Sequence, residues 1–183
     1  MEEEIYQLCL KNSKENPFNH YLDFLKELKE LTDEEWRLSQ GPGWEFLHIV
    51  ETTSMSKSYK MPILLAFYND GEIKMGITEE DVYQSCKAFY EKDQNWRDME
   101  KDKNTRDFRS WDKKRYVSEA RKNPVHFLKE SGSGFFVDRE GFVLALKDDL
   151  KDVVTEPAFV QHMKDIIDYR TMNYYKQRYE KGE

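Results

Sequence analysis

The segment Ser58–Asp149 constrains the fold more than any other part of the chain, because its punctuation sets an order of elements. The run 58–69 carries Ile63, Leu64, Ala66 and Phe67 at helical spacing and ends at the turn Asp70-Gly71. Ser58 would cap this helix and place Pro62 in its first turn, where proline costs little. An alternating stretch, 72–77, reads as a short strand. Thr78, followed by Glu79, Glu80 and Asp81, is an N-cap with acids in the first turn, and Val82, Tyr83, Cys86, Phe89 and Tyr90 continue that helix. The stretch 91–110 has no clean period. Trp96, Met99 and Phe108 anchor it as an ordered insertion with about one helical turn.

A further helix runs from Asp112 to Arg121 with Tyr116, Val117 and Ala120 inward. Asn123 and Pro124 read as cap and first position of another short helix whose core face is Val125, Phe127 and Leu128. Residues 134–146 form a hairpin around Asp138-Arg139-Glu140-Gly141. Helix, strand, helix, helix, hairpin is the order of a winged-helix domain. The expected fold is therefore mainly α with a small β-hairpin, an α+β chain with a winged-helix-like core.

The flanks are helical. Tyr6, Leu8 and Leu10 precede a break at Asn16-Pro17. Phe18, Tyr21, Leu22, Leu25, Leu28 and Leu31 then recur at spacings of three and four. Thr32 and Glu35 make a capping box for a helix with Trp36 and Leu38, which stops by Gly41-Pro42-Gly43. Trp44, Phe46, Leu47, Ile49 and Val50 follow as a short helix or strand. After Asp149 a long helix carries Phe159, Val160, Met163, Ile166 and Ile167, then Tyr174, Tyr175 and Tyr179. The expected organisation is an N-terminal helical segment over 1–43, a winged-helix-like domain over 44–149 and a packing helix over 150–183.

Charge decides which functions are plausible. The chain has a formal net charge of -7 and is 36% charged. Its basic residues concentrate between Lys101 and Lys122, where nine cations face four acids, so this segment is +5 and the remainder -12. Arginine and lysine neutralise phosphates, and arginine also reads guanine edges. The candidate nucleic-acid contacts are Arg106, Arg109, Lys113, Lys114 and Arg121, with Arg139 at the tip of the wing. The aromatic end of the last helix could stack bases, but packing is the reading we favour.

Catalytic motifs are absent from the sequence. Asp70, Glu72 and Lys74 have the acid-x-lysine tail of some nucleases, although they fit an exposed strand face better. His20, His48, His126 and His162 lack metal-ligand spacing and read as surface or helix-face residues. Cys9 and Cys86 are too few for a disulfide framework or a zinc site and read as reduced space-fillers. No glycine-rich loop has phosphate-cradle spacing. No catalytic residue, metal or cofactor is expected. The acidic N-terminus and the lack of a long apolar run imply a cytoplasmic chain without membrane contact.

Four stretches, Thr52–Phe67 (TTSMSKSYKMPILLAF), Asn104–Trp111 (NTRDFRSW), Asn123–Leu128 (NPVHFL) and Asp168–Tyr175 (DYRTMNYY), resemble in phrase and order the C-terminal region of large bacterial superfamily-two helicases of DEAD/DEAH type, of the kind found near restriction and defence systems. Together they span roughly residues 44 to 180. The resemblance implies a non-catalytic accessory domain that binds DNA and lies after the motor. Helicase activity would belong to another part of such a protein, since no Walker motif is present. It assigns no residue a role. A protein-interaction module that docks a motor or partner subunit is the alternative, and the acidic balance speaks for it.

Overall fold

The computed structural model describes residues 21–92 and 94–180, with the side chains of Tyr179 and Glu180 left aside. The expectations for Tyr6 to Phe18, Cys9, His20 and the Tyr179 side chain fall outside the described set. The chain is mainly helical with two small antiparallel sheets. Helix α1 is Tyr21–Leu28, α2 is Asp33–Leu38, and α3 is Pro42–Thr52. The capping box of α2 forms as expected: the Thr32 hydroxyl accepts from the Glu35 N–H, and Glu35 reaches back to the Thr32 N–H. Gly41-Pro42-Gly43 does not end a segment in coil. Gly41 caps α3 and Pro42 is its first residue. Gly43 lies so close to Leu38 that an added Cβ would meet its side chain at 2.6 Å. Residues 44–50 are helix, with Phe46, Leu47 and Val50 buried.

Helix α4 is Lys60–Leu65, shorter than the helix read over 58–69. Ser58 does not cap it. Its N–H goes to the buried Asp98 carboxylate at 2.8 Å and its hydroxyl to Tyr175, so tertiary partners outcompete the local cap. Strands β1 (Tyr68–Asn69) and β2 (Glu72–Ile73) form a tiny hairpin through Asp70 and Gly71, both at positive φ. The expected single strand over 72–77 is thereby split. After Lys74 and Met75 the chain changes sheet, and β3 is Gly76–Ile77.

Helix α5 (Glu79–Glu91) opens with a full capping box between Thr78 and Asp81. Helix α6 (Arg97–Lys101) and a 3-10 turn, Phe108–Ser110, supply the order expected within 91–110, with Met99 and Phe108 buried. Helix α7 is Lys113–Ala120, capped by the Asp112 carboxylate. Asn123 and Pro124 do not begin a new helix; α7 runs through a π turn, Arg121–Val125, directly into α8, His126–Ser131. Proline has no N–H to donate and clashes with the carbonyl four residues earlier, so the wider turn absorbs it. Strands β4 (Phe136–Val137) and β5 (Leu144–Leu146) make the hairpin, with Gly141 at φ 84° in its loop. Helix α9 is Pro157–Glu180.

The larger sheet has the order β3-β5-β4, all antiparallel, with Gly76 opposite Ala145 and Phe136 opposite Leu146. Gly76 is needed there, because the Phe142 ring covers the place of its Cβ at 2.6–2.8 Å. One apolar core links all parts, from Leu22 and Leu38 through Phe46, Phe67 and Leu144 to Phe159 and Ile167. No described helix is long and apolar enough to cross a membrane.

Candidate nucleic-acid interface

Helix α7 owes its polarity to one inward stripe. Tyr116, Val117 and Ala120 are buried against α5, and the Tyr116 hydroxyl donates to the Phe108 carbonyl at 3.1 Å. The outward positions are strongly one-signed. Every exposed residue from Lys113 to Lys122 is basic: Lys113, Lys114, Arg115, Arg121 and Lys122. Glu119, half-buried, is the acid among them and holds Arg115 at 3.5 Å and Lys122 at 3.1 Å.

The six candidate contacts divide by pairing. Lys113 donates to Glu80 at 3.1 Å and Arg121 to Glu79 at 3.4 Å, so both reach the first turn of α5. The hydrogen bonds from Gln84 and Lys113 hold the Glu80 carboxyl below its usual range. Arg109 pairs with Glu100 and stacks on Phe108 and Trp96, 4.7 and 5.6 Å from the ring centroids. Arg139 folds back on its own hairpin, to Asp148 at 2.7 Å and the Leu146 carbonyl at 3.4 Å. Arg106 and Lys114 are exposed, and no ion pair among the described residues engages them. Lys113, Lys114 and Arg121 thus share the face of α7. Arg106 and Arg109 lie in the preceding segment, and Arg139 belongs to the hairpin.

Other expectations about chemistry resolve plainly. Asp70 and Glu72 are exposed on the small hairpin, whereas Lys74 is bound to Asp81 at 2.6 Å, so these three do not share a site. Among the described residues no cluster of three His, Cys, Asp or Glu could hold a metal ion. Cys86 is a free, buried thiol that burial pushes up to about 12. His162 is not a surface residue: it is buried, with Nε2 2.8 Å from Glu35.

Two arrangements escaped the sequence reading. In the first, the buried Asp98 carboxylate accepts from the Ser58 N–H at 2.8 Å and the Tyr174 hydroxyl at 2.9 Å, with Arg178 at 3.5 Å. The Tyr175 hydroxyl donates to the Asn95 carbonyl at 2.9 Å, which makes the Ser58 hydroxyl, 2.7 Å away, its donor. This network fastens the end of α9 to the 91–110 segment and so packs the tyrosines inward. An Arg four residues after Tyr174, stacked on its ring at 4.4 Å, was the one local signal for it. In the second, Arg170 donates to the Val50 and Thr53 carbonyls at 2.6 and 2.5 Å, closing the C-terminus of α3 from another helix. Burial pushes the neighbouring Glu51 carboxyl up to about 8, against the Tyr21 N–H and Arg170, which favour its charge.

Compared with family models, curated proteins and solved structures, the chain gives no match in any of the three.

Proposed function

We propose that this chain is a non-catalytic nucleic-acid-binding module, with DNA the preferred ligand, acting as an accessory domain of a larger helicase or restriction-type enzyme. The observation that carries it is the wholly basic exposed face of Lys113–Lys122. A winged-helix plan supports it too. Strand β3 leads into α5, α7 precedes the hairpin, and β5 lies between β3 and β4. In such a plan α7 is the recognition helix and the β4–β5 loop the wing. Lys113 and Arg121 exchange exposed glutamates for phosphates, at little electrostatic cost in either direction. Lys114 and Arg106 meet phosphates directly. The accessory role rests on the resemblance of Thr52–Phe67 and its companion stretches to the region after helicase motors.

The test is fluorescence anisotropy of labelled duplex and single-stranded DNA across a salt series. Engagement of four or five phosphates gives a slope of log affinity against log salt of about -4. Lys114→Ala lowers the magnitude of that slope by about one, uniformly across sequences. No binding at low salt overturns the reading. It would favour a protein-docking module, for which the net charge of -7 is the supporting observation.

A further inference from the structure

Between α5, α6 and α7 lies a cavity of about 190 Å³, walled by the rings of Tyr59, Tyr90, Trp111 and Tyr116, with the exposed Asn104 and Asn123 at its mouth. Its walls are corners. Tyr59 and Tyr90 meet at 89° and Trp111 and Tyr116 at 72°. Three of the four polar groups on these rings are engaged. Tyr59 donates to the Asp98 carbonyl, Tyr116 to the Phe108 carbonyl and Trp111 Nε1 to Asp107. Tyr90 is the exception: it is only 5% exposed, and no hydrogen bond among the described residues reaches its hydroxyl. The hydroxyl is not sealed from solvent, so on a cavity wall it is an open hydrogen-bonding position for a ligand. The π turn at Arg121–Val125, which brings Asn123 and Pro124 to the cavity, is a device that recurs at functional sites.

Size and charge select the ligand. A cavity of roughly 150 Å³ holds a benzene ring, so this one suits a single six-membered ring. Aromatic walls also suit a small cation, but the local charge opposes one. Asp102 is held by Lys57 at 2.5 Å, and Glu119 by Arg115 and Lys122. Lys103 and Arg106 flank the lining residues Asn104 and Thr105 in sequence, both exposed and without ion-pair partners among the described residues. The two carboxylates of the lining are thus outnumbered by the cations paired with them or adjacent in sequence, which favours a neutral ring attached to an anion.

We infer that this cavity receives one pyrimidine base of a nucleotide, with Tyr90 hydrogen-bonded to the base edge and Lys103, Arg106 and Lys122 on the phosphates. The base comes either from an unpaired position in a strand, which rests on the nucleic-acid reading above, or from a free nucleotide, which does not. In a strand, the base leaves its stack for the cavity, at least cost where it is already unpaired.

Two measurements test this: anisotropy with a duplex carrying one bulged cytosine against the same duplex fully paired, and tryptophan fluorescence on titration with deoxycytidine monophosphate. The bulged duplex binds about tenfold tighter, the scale of one base stacked on aromatic side chains. Tyr90→Phe, whose fold is verified by thermal melting, cuts that preference to about threefold and leaves the paired duplex unaffected. Ala120→Leu, which fills the cavity, abolishes the preference. Equal affinity for bulged and paired duplexes overturns the strand form. If no duplex binds, the nucleic-acid reading has failed. Saturable quenching by the mononucleotide, weakened in Tyr90→Phe, then sustains a free-nucleotide site, and no quenching overturns the cavity proposal altogether. Quenching by tetramethylammonium instead of the nucleotide also overturns it.

Discussion

The end of α9 and the face of α7 are built from the same residue types, and they do opposite work. Around Asp98 one carboxylate and two tyrosines are drawn into the interior, with the partly exposed Arg178 at their edge, and their polar atoms are matched by partners far away in sequence. Along α7 the lysines and arginines stand in water, and their pairs with Glu79, Glu80 and Glu119 are solvent-screened. The dielectric around a charge sets the difference. A buried partner, once lost, strands a desolvated group; an exposed one is replaced by water. The first region therefore holds the fold together, and the second is free to exchange its partners for a ligand.

Substitutions can break this contrast or sharpen it. The largest loss is expected from Asp98→Ala, which leaves the Ser58 N–H and the Tyr174 hydroxyl unpaired and Arg178 without its anion. A fall of about 3–5 kcal/mol in unfolding free energy is expected by urea titration. A fall below about 1 kcal/mol would mean that the tyrosine end of α9 does not anchor the chain. Arg170→Met comes next. It strips two carbonyls at the end of α3 of their donor, for roughly 2–3 kcal/mol in the same assay.

Gly76→Ala is smaller, at about 1–3 kcal/mol, because the Phe142 ring must move or β3 must shift against β5. Glu51 acts through pH. Its carboxyl holds a proton more tightly in the folded chain, at about 8, than at the ordinary value of 4.5. Its contribution to stability is thus complete below about 4.5 and declines as pH rises towards 8. The slope is at most about 1.4 kcal/mol per pH unit. Glu51→Gln should flatten that decline in thermal melts between pH 5 and pH 8, and an unchanged profile would remove Glu51 from the account. The smallest structural effect belongs to the α7 face. Lys114→Ala and Arg121→Ala should leave the melting temperature unmoved while weakening DNA binding, and a marked loss of stability would show that this face is structural.

Local signals were legible where a few neighbouring residues decide the outcome. The capping box at Thr32, the N-cap at Thr78, the inward stripe of α7 and the Asp70-Gly71 turn all follow from short-range chemistry, and each formed as read. Misreadings arose where a distant partner intervened. Ser58 had the form of a cap and became a partner of Asp98 and Tyr175. Asn123-Pro124 had the form of a helix start and became a π turn, because the helical backbone runs on from α7 into α8 and widens to pass the proline. His162, unremarkable in sequence, found Glu35 across the fold, with the imidazole and Thr32 holding that carboxyl below its usual range against the effect of partial burial.

The sequence alone determined the positions of most helices and of the 134–146 hairpin, the acidic total and the basic segment 101–122, because spacing, caps and charge are properties of adjacent residues. Only the tertiary structure decided which charges are spent. Arg109, Lys113, Arg121 and Arg139 find acids that lie from nine to forty-two positions away in the chain. It also decided that four aromatic rings from separate elements enclose a cavity with one unpartnered hydroxyl. Such meetings depend on long-range packing, which no local pattern encodes.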